Sequence, residues 1–162
     1  MTAGAALDHV FGFTVINDVI AWDELEATWD SWLCQMTLLK NYGTFCPMGL
    51  VVVHADELAS PDTLAQRTIA NGRVHQDGSM KDCWMSMSAV IAWMSSRFTL
   101  MSGDVLAMGT PTGIGTMHPA DEVVYEIEGI GRLNNSCRRG VVAMSDPRLY
   151  RSDPQEREVS LV

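Results

Sequence analysis

The chain of 162 residues is short of several things, and each shortage excludes something. It has no apolar run of the length that a membrane span requires, so no membrane segment is expected. Lys and Arg number 11 against 20 Asp and Glu, a net charge of −9. Phosphate binding needs clustered basic residues, so no nucleic-acid partner is expected. The same charge disfavours anionic membranes. No Cys-x-x-Cys pair occurs among Cys34, Cys46, Cys83 and Cys137, which argues against a structural zinc. His9, His54, His75 and His118 lack His-x-x-x-His spacing and read as structural or surface groups. No internal repeat is visible. The first residues, Met-Thr-Ala-Gly-Ala-Ala-Leu-Asp-His, lack the basic start and apolar core of a secretory leader. With scattered single cysteines, this predicts a cytoplasmic protein holding reduced thiols. Cys46, beside Pro47, has no His nearby in sequence and reads as an inert thiol before a nucleophile.

The length suits one domain, and an apolar content of 47% is ordinary for a globular core. Residues 10–16 read as a strand, and 21–38 as a helix or helical loop. The β-branched run at 50–54 reads as a buried strand. Ser60 before Pro61 marks a turn or helix start. Asn71-Gly72 between two strand-like runs predicts a hairpin. Ser86 or Ser88 caps a helix that runs to about Arg97. Residues 105–108 read as a buried strand, and alternation over 122–130 predicts another. Met80, Met85, Met87 and Met94 crowd together with Trp84 and Trp93. They read first as an adaptable core, and second as an apolar pocket or subunit interface. Short strands, hairpins and one or two short helices make an α+β fold. Residues 1–142 are expected to form the domain. Residues 143–162, rich in charge and in Asp-Pro pairs, are expected to form a mobile tail.

Residues 103–115 read Gly-Asp-Val-Leu-Ala-Met-Gly-Thr-Pro-Thr-Gly-Ile-Gly. An apolar run breaks into glycines, a proline and threonines, which suits a loop that approaches something closely. Gly109 removes bulk, Thr110 offers a hydroxyl and Pro111 stiffens the turn. A structural turn uses the same residues. Asp18, at a predicted strand end, reads first as a capping turn residue and second as a ligand for a hard cation. Lys40 reads as a surface lysine, or as a cation placed to stabilise an enolate or oxyanion. Gln76 reads as a surface polar group or as a substrate contact.

Three further segments stand in order with that loop. Residues 11–23 read Phe-Gly-Phe-Thr-Val-Ile-Asn-Asp-Val-Ile-Ala-Trp-Asp, residues 40–49 read Lys-Asn-Tyr-Gly-Thr-Phe-Cys-Pro-Met-Gly, and residues 125–134 read Tyr-Glu-Ile-Glu-Gly-Ile-Gly-Arg-Leu-Asn. At these spacings the chain resembles the C-terminal catalytic domain of the fumarylacetoacetate hydrolase family, over roughly residues 5–140. The resemblance implies a mixed β-sheet roll with its site at one open end. It implies Asp18 as a metal ligand, Lys40 and Thr110 as catalytic residues, and Gly109, Trp22 and Gln76 at the substrate. Trp22 stands where the family has a substrate-binding Arg, and Leu25 where it often has Gln, so a more apolar rim is expected. Family members bind Mg²⁺ or Mn²⁺ through a Glu-x-Glu pair and the aspartate that Asp18 matches. The ion polarises a keto-acid or β-diketone and stabilises the enolate left by C–C cleavage.

The Glu-x-Glu pair should precede Asp18, and none of the seventeen residues there is Glu. The family's catalytic lid is also missing upstream. Glu126-Ile127-Glu128 has the right letters but matches a later family strand. The expectation is a divalent-metal-dependent hydrolase, decarboxylase or isomerase of a small keto-acid or β-diketone, working as a homodimer. The alternatives are a non-catalytic relative serving as a binding or oligomer subunit, and a truncated gene product.

Overall fold

The structure, a computed structural model, describes residues 1–22 and 32–138. Leu25 and the predicted tail from residue 143 lie outside the described residues.

Six strands and two helices organise the described chain. The strands are β1 (Gly12–Phe13), β2 (Val53–His54), β3 (Ala65–Ala70), β4 (Arg73–Ser79), β5 (Glu122–Ile127) and β6 (Gly131–Ser136). The helices are α1 (Trp32–Leu39) and α2 (Met87–Ser95). β1 and β2 pair alone, while the larger sheet runs β4-β3-β5-β6. All these pairs are antiparallel. The α+β class stands as the sequence predicts, with antiparallel pairing throughout the named strands.

The hairpin forms where it was expected. Asn71 and Gly72 both take positive φ, 49° and 75°, which a two-residue hairpin turn of matching twist requires. Below the turn, Ala70 pairs Arg73 and Ile69 pairs Val74. A bulge then slips the register, so that Thr68 faces Gln76. Thr68 also faces Tyr125, and Tyr125 faces Leu133. The row Gln76–Thr68–Tyr125–Leu133 therefore crosses the sheet on its inner face. On the outer face, Asp77, Arg67, Glu126 and Arg132 form a row of alternating sign. Arg67 Nε meets Asp77 Oδ2 at 3.0 Å and Arg132 Nε meets Glu126 Oε1 at 2.6 Å. Such exposed pairs each contribute roughly 0.2–1 kcal/mol and chiefly hold register.

α2 starts where the sequence places it. The Ser86 hydroxyl accepts from the Ala89 N–H, and Asp62 Oδ1 accepts from the Met87 N–H. The helix buries Met87 and Ile91, one turn apart, while Trp93 and Trp84 stay exposed. The Met/Trp-rich stretch is thus part core and part surface.

Four predicted elements change. The strand over 10–16 shrinks to β1 plus an isolated bridge between Ile16 and Met48. The run 50–54 keeps only β2, and Leu50, Val51 and Val52 are exposed, with Leu50 fully so. Residues 105–108 form no strand and Val105 is half exposed. Residues 50–52 and 105–108 have strand propensity without a neighbouring strand among the described residues to complete a ladder. The fourth, over 122–130, ends at Ile127 and turns at 128–130 into β6.

Two small cores share one ring. Val19, Met117, Val123 and Cys137 form the first, under the large sheet. Ile20, Ala21 and Leu39 form the second, against the end of α1. Phe45 packs against both. No described helix is long and apolar enough to cross a membrane.

Candidate functional site

Asp18 sits at the apex of a tight turn. The Val19 N–H donates to the Asn17 carbonyl at 3.0 Å, a three-residue closure common at strand ends. The flanks are anchored. Asn17 N–H reaches the Pro47 carbonyl at 3.1 Å, and Gly49 N–H reaches Val15 O at 2.7 Å. Val19 enters the first core and Ile20 the second, so the turn is held on both sides. The Asp18 carboxylate is left facing outward.

Lys40 arrives from the other direction. Leu39 is buried at the end of α1, and its carbonyl accepts from the Ala21 N–H at 3.1 Å. That bond delivers the next residue, Lys40, to Asp18, and the ammonium donates to Asp18 Oδ2. The side chains retain 33% and 43% of their exposure, so the pair itself adds only about 0.2–1 kcal/mol. Its structural meaning is placement. Two residues 22 apart in sequence meet at one point.

The second constellation is the loop after residue 108, which docks on β4. Pro111 lies against Gly78, where a Cβ would meet the ring at 2.9 Å. Gly113 passes so close to the His75 carbonyl that a Cβ would sit 2.2 Å from its oxygen. Gln76 is buried, with 5% exposure, and is not the surface group that its polarity suggests. Its Nε2 donates to Thr110 Oγ1 at 2.9 Å and to Pro111 O at 2.6 Å. Its Oε1 accepts from the Thr68 hydroxyl at 2.6 Å. Thr110 is exposed, and a Cβ on Gly109 would meet nothing within 4 Å.

The structure thus joins Asp18 to Lys40 and Gln76 to Thr110. Among the described residues, no hydrogen bond links the two pairs. Trp22 is half-buried on the margin of the second core, beside Ile20, Ala21 and Leu39. Between the pairs lies Tyr125, hydrogen-bonded to the Asn17 side chain. Burial pushes its phenol well above the ordinary range, and the neighbouring Cys137 adds to the shift. Cys137 is itself raised, first by burial and then by Asp121. Cys46 is exposed at a positive φ of 57°. Two open clefts, of about 590 and 630 Å³, lie elsewhere and are lined by none of the candidate residues.

A Mg²⁺ or Mn²⁺ ion takes about six ligands, mostly oxygens and several of them charged. At this place the described residues present the single carboxylate of Asp18, with an ammonium already on it. No group of three His, Cys, Asp or Glu side chains fit for a metal occurs among them. Glu126 and Glu128 do not fill the gap. Glu126 pairs with Arg132 on the outer face, and Glu128 accepts from the Ala65 N–H. The donor set does not by itself fit the ion.

Residues 1–138 match the model of the fumarylacetoacetate (FAA) hydrolase C-terminal family. The chain belongs to this family. It is 36% identical over 137 residues to the oxaloacetate tautomerase YisK of Bacillus subtilis, covering 80% of this chain and 44% of that protein. It is 38% identical over 130 residues to the 4-hydroxyphenylacetate degradation bifunctional isomerase/decarboxylase of Escherichia coli, covering 80% and 29%. The chain therefore spans less than half the length of these two relatives. Among solved structures, the 5-carboxymethyl-2-hydroxymuconate delta-isomerase of Mycobacterium smegmatis superposes with a TM-score of 0.78 at 33% identity, covering 87% of this chain and 53% of that one. The maleylpyruvate hydrolase of Sphingobium sp. SYK-6, solved with manganese(II) and pyruvate, superposes at 0.76 and 26% identity, covering 87% and 49%. Members of this family thus include tautomerases, isomerase/decarboxylases and hydrolases.

Proposed function

We propose that this protein acts on a small 2-keto acid or β-diketone through its enolate. The observation that carries the reading is the Lys40–Asp18 pair, set at an anchored turn in a chain of this family. Lys40 offers an ammonium to the oxygen that gains charge as the enolate forms, and Asp18 holds that ammonium in place. Thr110 and the open backbone at Gly109 receive the substrate's carboxylate. Trp22, in place of a basic residue, leaves the rim apolar. Oxaloacetate suits a first assay, since a relative at 36% identity is an oxaloacetate tautomerase. Hydrolysis, decarboxylation and tautomerisation share this enolate. The maleylpyruvate hydrolase of this family is solved with manganese(II), but the donor set described above gives no reason to route a step through a Mg²⁺ or Mn²⁺ ion here. A homodimer in the cytoplasm belongs to the same proposal, with exposed Leu50, Val51 and Trp84 as apolar surface for such an interface.

A second reading, a non-catalytic relative that binds a partner, is favoured by that incomplete donor set. One experiment separates the two. Oxaloacetate conversion is followed by ultraviolet absorbance for the wild type and for Lys40→Met, with Mn²⁺ and with a chelator. The enzyme reading expects wild-type turnover above the buffer rate and a loss of about 10²-fold or more in Lys40→Met. Wild-type rates equal to buffer in both arms, for oxaloacetate and acylpyruvates alike, would leave the non-catalytic reading.

A further inference from the structure

We propose that Thr68 and Gln76 are positioning residues that turn the Thr110 hydroxyl proton outward, toward the carboxylate of a bound 2-keto acid. The inference rests on the function proposed above and deepens it. It also moves Gln76 from the substrate's surface to a place behind Thr110.

Hydrogen-bond polarity sets the direction of each contact. The Pro111 carbonyl can only accept, so the Gln76 atom 2.6 Å from it is the amide nitrogen, whichever way the amide is drawn. The other end of the amide is then oxygen, and the Thr68 hydroxyl must donate to it, at 2.6 Å. An amide nitrogen carries two protons. One goes to Pro111 and the other to Thr110 Oγ1, at 2.9 Å. Thr110 is thereby made an acceptor toward the protein. Its own proton has no acceptor among the described residues, and the residue is exposed. A hydroxyl in this state donates to what arrives, and an anionic carboxylate takes such a donor best. With the amide reversed, Thr110 would spend its proton on Gln76 and offer only lone pairs to an anion.

The elements explain why the relay is rigid. Gln76 is 5% exposed, and Thr68 faces it directly across β3 and β4 because of the bulge. Pro111 is wedged against Gly78. The network spans two strands and the loop, so the hydroxyl's orientation is built into the sheet.

The test uses the full chain labelled with ¹⁵N and pyruvate as the probe, with binding read from chemical-shift titration. Thr110→Val is expected to weaken pyruvate binding roughly tenfold, the loss typical of one charge-assisted hydrogen bond, and Thr68→Val about threefold, because the Gln76 amide is then held in place by Pro111 alone. The double variant is expected to be no weaker than Thr110→Val alone, because Thr68 acts on the ligand only through the Thr110 hydroxyl. Thr68→Ser keeps the hydroxyl and is expected to bind as the wild type does, whereas a role for the methyl alone would be kept in Thr68→Val and lost in Thr68→Ser. Without ligand, the Gln76 side-chain amide signals shift in Thr68→Val and return in Thr68→Ser. Thr68→Ala serves in place of Thr68→Val if the latter does not fold. Wild-type affinity retained in Thr68→Val or Thr68→Ala overturns the relay and leaves the proposed function standing. A wild type that binds no pyruvate overturns both.

Discussion

Gly109 and Gly113 lie four residues apart with nearly equal backbone angles, φ 103° and 104°, and opposite surroundings. An alanine at Gly113 would carry the strain of positive φ and also strike the His75 carbonyl. At Gly109 it would carry the strain alone, in open space. Gly113→Ala is therefore expected to cost about 3 kcal/mol or more, and Gly109→Ala about 1–2 kcal/mol, measured by urea denaturation. The motif spells both positions alike, and only their neighbours separate scaffold from site. Asp121 gives a pH-dependent case. Its carboxylate accepts from the Asn71 amide at 2.8 Å and from the His118 N–H at 2.7 Å, and these bonds hold it below the usual carboxylate range. A carboxyl depressed on folding stabilises fully above its unfolded value, and that contribution is lost as pH falls through the folded one. Asp121→Asn is expected to lower Tm at neutral pH, with the gap to wild type closing below the ordinary carboxylate range. At this scale the sequence named Asp18, Lys40, Gln76 and Thr110. It did not name Thr68. A regular two-residue hairpin pairs Thr68 with His75, and nothing in the letters announces the bulge that moves it to Gln76.

The elements that were legible carry their own local chemistry. The hairpin had Asn-Gly, and α2 had Ser86 followed by apolar residues at helical spacing. The elements misread had strand propensity and no partner, as at 50–52 and 105–108. β6 was missed for the opposite reason. Its Asn134 and Asn135 discourage a strand on their own, and pairing with β5 makes one. The hairpin tip also shows how a turn can bind a third strand. Asn71 Oδ1 accepts from the Glu122 N–H at 3.0 Å, while its Nδ2 donates to Asp121. Asn71→Ala loses both bonds and puts at φ 49° a residue that tolerates the left-handed region less well than asparagine does. The expected cost is about 2 kcal/mol, with the loss of protection centred on β4 and the start of β5 in hydrogen exchange.

For the molecule as a whole, the sequence announced one α+β domain, and the family follows from four segments that lie far apart in the chain. What it did not announce is the way apolar residues divide. Leu50, Phe11 and Trp84 face outward, while Val19, Met117, Val123 and Cys137 gather in one small cluster and Ile20, Ala21 and Leu39 in another. The division comes from contacts between distant segments, which no local window contains. Phe45 is the ring the clusters share, with the Lys40 anchor on one side of it and the sheet on the other. It decides whether the protein melts as one body or two. With Phe45 in place, loosening either cluster withdraws support from the other, and a single steep transition is expected, with calorimetric and van't Hoff enthalpies equal. In Phe45→Ala the transition should broaden and the van't Hoff value should fall below the calorimetric one. The end of the chain that holds Lys40 would then come loose at a temperature where the sheet still stands.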